Sequence, residues 1–190
     1  MGLREWLSRR NDPTAAWVRD PELRLTLDFG GGSLRGVGLG DPIERLAFLG
    51  PTDRGAGPEE DLQYLSLGLS VGFTAGSIDF YGTWWQDYLG AGYRRYAGCV
   101  LLGGRAVALG PTTPEHEILE AFGQPYWRDH DDSETILFYE VEDSRGGLTE
   151  RQFELDERGA LKALLVLADP ILAEEASRRI YGIDRPWPPR

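Results

Sequence analysis

Two stretches of this chain repeat one another. Arg35-Gly36-Val37-Gly38-Leu39-Gly40 is echoed by Arg105-Ala106-Val107-Ala108-Leu109-Gly110. Each copy runs into a segment that begins at a proline and ends at a glycine with proline close behind, Gly50-Pro51 in the first and Gly123-Gln124-Pro125 in the second. A prolyl ring presets the φ of a first helical turn, and glycine accepts the positive φ at which helices end. The echo therefore predicts one unit used twice. The copies are offset by 70 at Gly40 and Gly110 (110 − 40) and by 73 at Gly50 and Gly123 (123 − 50), so a small insertion precedes the second helix. At 190 residues the chain is long for one ordinary domain and short for two, which suits a tandem of small units.

Alternation predicts the strands. Leu23, Leu25 and Leu27 alternate with Arg24, Thr26 and Asp28, the pattern of a half-buried strand. Phe29-Gly30-Gly31-Gly32-Ser33 is its turn, and Leu34 to Leu39 the return strand. That turn lacks the Lys-Ser/Thr of a phosphate loop and leads into no helix. Asp41 caps and Pro42 begins a helix with Ile43, Leu46 and Leu49 or Phe48 on its buried face. A polar loop over 52–61 precedes strand-like Leu62 to Leu69. A hairpin follows, with Val71 and Phe73 before the turn Thr74-Ala75-Gly76-Ser77 and Ile78 and Phe80 after it. The second copy reads Cys99 to Leu102, a Gly103-Gly104 turn, Arg105 to Leu109, and a Thr113-capped helix carrying Ile118, Leu119 and Phe122. A strand from Thr135 to Val141 and a hairpin of Gln152–Leu155 with Leu161–Leu167 complete it. Phe153 and Leu155 take the places of Val71 and Phe73.

The expected fold is α+β: two tandem hairpin-helix-strand-hairpin units forming an antiparallel sheet with helices packed on one face. Residues 1–21 are expected to form an N-terminal helix and connector, with Leu3, Trp6 and Leu7 on one helical face. The first unit spans 22–97 and the second 98–169. A C-terminal helix begun at Asp169-Pro170, with Glu174 and Glu175 four residues before Arg178 and Arg179, and a Pro-rich tail take 170–190.

A formal charge of −11 excludes a phosphate backbone as the natural partner, because nucleic acid is bound by clustered Lys and Arg. An anionic membrane is disfavoured for the same reason, and a basic protein partner is compatible with the charge. Lys162 is the single lysine, which reads as genome composition. Cys99 is the single cysteine, so neither an intrachain disulfide nor a thiolate metal cluster is available. The N-terminal residues lack the apolar core of a signal peptide, and no run reaches the ~20 apolar residues of a membrane span. A cytoplasmic location is the expectation by default.

The densest aromatic segment lies between the copies, with Trp84, Trp85, Tyr88, Tyr93 and Tyr96 among Arg94 and Arg95. Such a segment either pins a connector or supplies a contact surface, since aromatic and arginine side chains dominate binding hot spots. Trp84, Trp85, Tyr88, Tyr93, Tyr126 and Trp127 are the candidate contact residues. Enzyme signatures are sparse. His116 falls in a first helical turn, and no serine or cysteine sits in a nucleophile elbow. His130 lies within Asp129-His130-Asp131-Asp132, a residue set compatible with a divalent ion, but adjacent residues in an acidic loop seldom converge on one. Neither a cofactor nor a metal is called for.

Gly110-Pro111-Thr112-Thr113-Pro114-Glu115, Phe122-Gly123-Gln124-Pro125 and Phe138-Tyr139 together resemble the repeat unit of β-lactamase-inhibitor-like proteins. They are similar also to the SmpA/OmlA lipoprotein domain of the outer-membrane assembly machinery. The first copy matches through Gly40-Asp41-Pro42, Leu49-Gly50-Pro51 and Gln63-Tyr64. The resemblance covers about residues 23–168 and implies helices on one face of an antiparallel sheet whose other face holds a partner. Those relatives are exported and the inhibitors carry disulfides; this chain has one cysteine, so the binding scaffold is what transfers. The expected function is a non-enzymatic cytoplasmic protein-binding module, of inhibitor or immunity type. The alternatives are a small-ligand binder or enzyme with a pocket over the sheet, and a structural domain of a larger assembly.

Overall fold

A computed structural model describes residues 12–54, 61–87, 90–143 and 146–188. The helix expected over Leu3, Trp6 and Leu7 lies outside them. Tight turns set the register. Ala75 and Gly76 both take positive φ (51° and 81°), the handedness that lets two right-twisted strands meet, and Thr74 pairs with Ser77 across them. The segment expected as one return strand instead folds back at Arg35 and Gly36, whose φ values are also positive (52° and 78°).

The strands are β1 (Thr26–Asp28), β2 (Ser33–Leu34), β3 (Val37–Gly38), β4 (Leu62–Tyr64), β5 (Leu69–Thr74), β6 (Ser77–Trp84), β7 (Cys99–Leu102), β8 (Arg105–Val107), β9 (Trp127–His130), β10 (Glu134–Glu142), β11 (Leu148–Asp156) and β12 (Leu161–Leu167). They form two sheets where one was expected. The larger runs β4-β5-β6-β12-β11-β10-β9 and is antiparallel throughout. The smaller runs β3-β2-β1-β7-β8, with β1 and β7 parallel. The leading hairpin of each half pairs with that of the other half instead of extending its own sheet.

The helices are short. Ile43–Leu49 and Ile171–Ala173 are 3-10 turns, and Glu115–Phe122 and Glu175–Ile180 are α-helical. Asp41 and Thr113 do not cap as expected. Each turns back to accept the main-chain N–H three residues earlier, Asp41 Oδ2 from Gly38 at 2.7 Å and Thr113 Oγ1 from Gly110 at 2.8 Å. At the far ends, Gly50 (φ 75°, ψ −170°) and Gly123 (φ 82°, ψ −167°) share one conformation. The Tyr64 hydroxyl donates to the Gly50 carbonyl at 3.2 Å, and the Tyr139 hydroxyl to the Gly123 carbonyl at 2.9 Å. Pro42 bridges to Ser77, and Pro114 to Ala160, at the start of each closing strand.

The main core lies between the sheets. Leu27, Leu34 and Val37 of the smaller sheet meet Ile43, Leu46, Leu49 and Ile118 of the helices and the inward residues of the larger sheet. Phe29 stacks on Phe153 with centroids 5.7 Å apart. A buried cation ties the layers: Arg151 on β11 donates from Nε to the Phe29 carbonyl (2.7 Å), from Nη1 to the main-chain carbonyl of its neighbour Glu150 (2.9 Å) and from Nη2 to the Gly30 carbonyl (3.5 Å). Gly32, at φ 57°, leaves room for it, since a Cβ there would stand 2.5 Å from Nη2. Burial lowers the Arg151 pKa to about 10, so it remains charged at neutral pH.

Not all helical structure lies on that side. Phe138 points away from the main core, where the Tyr181 ring beyond Glu175–Ile180 packs against it at 5.1 Å. The larger sheet is therefore clothed on both faces. Among the described residues no helix is long and apolar enough to cross a membrane.

Replacing Arg151 with leucine strands two loop carbonyls and is expected to cost about 3 kcal/mol, read as a lower urea midpoint at unchanged m. Tyr64→Phe and Tyr139→Phe should each cost about 1 kcal/mol, because each removes the same hydroxyl-to-glycine bond.

Candidate functional site

The outer face of the larger sheet carries a groove at the junction of the two halves. Pairing places Gly72 of β5 beside Phe80 of β6, and Phe80 beside Leu167 of β12. Strict alternation would send Asp79 to the side opposite Phe80. The register slips here, because Gly72 pairs with Phe80 while Phe73 pairs with Ile78, leaving Asp79 as an extra residue. Such a bulge re-aims a side chain. Asp79 consequently lines the same opening as Phe80. Its carboxylate accepts the Thr74 hydroxyl at 2.6 Å, and its carbonyl accepts the Ala168 N–H at 2.8 Å.

Asp61, just before β4, and Asp169, just after β12, complete the rim of a cavity of about 370 Å³. Gly72 keeps the floor low. A Cβ there would lie 2.9 Å from Asp79 Oδ1 and from Phe80 Cβ, and 3.2 Å from Asp61 Oδ1. Burial pushes the Asp61 carboxyl pKa up, and the nearby Asp79 charge adds to this. None of the ion pairs among the described residues involves Asp61, Asp79 or Asp169. The floor is apolar and the rim anionic.

The same row of the sheet continues from Leu167 to Glu150 and then Glu140. Glu150 is fully buried and accepts hydrogen bonds from the Gln152 amide and from the Leu172 N–H (3.3 Å). Both carboxylate oxygens of Glu140 are buried without a hydrogen-bond donor among the described residues. Burial, then the charge of Glu150, pushes the Glu140 pKa up to about 9. Burial raises Glu150 as well, against the pull of its donors. Near neutral pH the two carboxyls hold a proton between them, and that proton relieves the pair.

The expected contact residues scatter. Trp84, Trp85 and Tyr93 are buried. Trp84 packs on Tyr93 at 5.3 Å and donates from Nε1 to Ser70 Oγ, and Trp85 meets Tyr96 edge-on. These rings are occupied by the protein's own packing. Tyr88 lies outside the described residues. Tyr126 and Trp127 are half-buried at the far edge of the sheet, where Trp187 and Arg185 of the tail lie against them. Four strand spacings, about 19 Å, separate β6 from β9, so Trp84 and Trp127 belong to different places.

The acidic segment around His130 is a strand end. His130 Nδ1 lies 2.9 Å from Thr135 Oγ1, and Asp131 accepts the Ser133 hydroxyl and the Ser133 and Glu134 N–H groups. Among the described residues no three His, Cys, Asp or Glu side chains gather as a metal-binding group. Lys162 spans Glu134 (2.6 Å) and Glu154 (3.3 Å) on the outer face.

Asp61, Asp79 and Asp169 were not among the expected site residues. They lie far apart along the chain, and the one local signal was Gly72 within an apolar strand, the mark of a bulge or a close approach. No protein-family model, curated protein or solved structure matches the chain.

The acid pair has a measurable signature. A carboxyl whose folded pKa lies above its unfolded value stabilises fully below the unfolded pKa, and that stability is lost as pH rises through the folded one. Thermal stability is expected to fall from about pH 5 towards about pH 9 as Glu140 ionises. Glu140→Gln should flatten that slope in melts run across the same range.

Proposed function

We propose that the chain is a non-enzymatic, cytoplasmic protein-binding module, of inhibitor or immunity type, that engages a basic protein across the outer face of its larger sheet. The observation that carries the reading is the acid-rimmed groove over Phe80 and Leu167, bordered by carboxylates with no cation paired to them among the described residues. The formal charge of −11 supports it, because a field of that sign speeds encounter with a basic partner and repels nucleic acid.

The scaffold reading is that of two copies of one unit, as in the β-lactamase-inhibitor-like and SmpA/OmlA domains resembled by Thr113-Pro114-Glu115 and Phe122-Gly123-Gln124-Pro125. Support comes from details that recur in and beyond the echo. They are the Tyr64–Gly50 and Tyr139–Gly123 bonds, the Pro42 and Pro114 bridges, and the turned-back side chains of Asp41 and Thr113. The echo itself corresponds less closely. Val37 and Gly38 form β3, two strands beyond β1, whereas Arg105–Val107 forms β8, directly beside β7. The extra fold-back at Arg35-Gly36 accounts for that difference. A small-ligand binder remains the second reading, on the size of the same cavity.

Affinity capture at low ionic strength should retain a protein of high isoelectric point, released as salt is raised towards about 0.5 M. Retention that is indifferent to salt, or capture of acidic proteins alone, would sink the reading.

A further inference from the structure

We propose that the groove at the β5–β6–β12 junction seats an arginine side chain of the partner, with the guanidinium over Phe80 and between the carboxylates of Asp79 and Asp169. The inference rests on the reading above and names what the groove takes.

The chemistry of the opening narrows the occupant. Asp61, Asp79 and Asp169 come from three separate segments and surround one cavity of about 370 Å³, so the occupant carries positive charge. A bare metal ion does not suit it. A divalent cation needs ligands converging within about 2.6 Å, and no such convergence of acidic, His or Cys groups is present among the described residues. An organic cation spans the wider gap. The floor then separates arginine from lysine. Phe80 is half-buried and faces the opening beside Leu167, and Gly72 adds no side chain to screen it. An ammonium is a compact, strongly hydrated charge that loses its water over such a floor. A guanidinium is weakly hydrated, stacks on aromatic faces and presents donors in a planar fork to carboxylates on either side. Its aliphatic stem would cover Leu167. The bulge that places Asp79 beside Phe80 puts an anion and a ring face together, the pairing that guanidinium recognition uses. The desolvated carboxyl of Asp61 would gain from a neighbouring cation as well.

The test uses the full chain and two unstructured peptides of identical Gly-Ser spacing, one with three arginines and one with three lysines, titrated at low salt with chemical-shift mapping. The arginine peptide should bind about tenfold tighter than the lysine peptide, with the largest shifts at Gly72, Phe80 and Leu167. Asp169→Asn, on an exposed residue, and Asp79→Asn should each weaken it about tenfold, and Phe80→Leu should erase the preference for arginine. Circular dichroism and melting confirm that each variant is folded. Asp169→Asn, which removes no hydrogen bond found among the described residues, keeps the test valid if Asp79→Asn is unstable. Arginine-peptide binding that maps elsewhere and ignores these substitutions overturns the groove assignment while leaving a basic partner in place. Equal affinity for the two peptides overturns the choice of arginine. Absence of binding by either peptide overturns the groove, and failure of the low-salt capture as well overturns the function it rests on.

Discussion

The pairing of β6 with β12 is the constraint on which the rest depends. It joins strands that are distant in sequence, from Trp84 opposite Ala163 to Phe80 opposite Leu167. Without it the larger sheet falls into a three-stranded piece, β4-β5-β6, and a four-stranded piece, β12-β11-β10-β9, each with a further unpaired edge. With it they become one seven-stranded sheet, and each half supplies the other with a strand neighbour. The groove is a product of the same seam. Gly72, Asp79 and Phe80 come from one half, and Leu167 and Asp169 from the other.

Arg151 makes a second join, from the larger sheet into the glycine turn of the smaller one. A buried guanidinium is costly to desolvate, and here main-chain carbonyls meet its donors. Two glycines of the turn are accounted for here: a side chain at Gly32 would crowd the arginine, and one at Gly31 would crowd the Asp28 carboxylate. A glycine-rich turn that resembles a nucleotide loop in composition is thus a seat for the protein's own cation.

What was legible in the sequence was local. The turn at Ala75-Gly76, the glycine ends of two short helices and the alternation of Phe153 with Leu155 in β11 follow from φ preference and period within a few residues. The mixed α+β class followed from these. What the residues hid was long-range. Arg128, Asp129 and His130 disguise β9 as a polar loop, because an edge strand carries charge on its exposed side. Trp84 and Tyr93 read as contact residues from composition alone, yet they pack on each other, and only the sheet's second face explains why. Phe80 reads as sharing the inward face of Ile78 until the bulge is counted, and a single unpaired residue leaves no periodic trace.

The seam is unequal about its middle. Counted from Gly82 opposite Leu165, two residues one way lead to Phe80 and Leu167 and the open groove, and two residues the other way lead to Trp84 and Ala163. That second end is filled, because Tyr93 and Leu65 close over Trp84. One end of the joint is stoppered by the molecule's own rings, and the other opens into the groove. On the proposed reading, a joint with both ends open would offer two seats; among the described residues this joint leaves one, which would set one guest for each chain and give the complex a defined polarity.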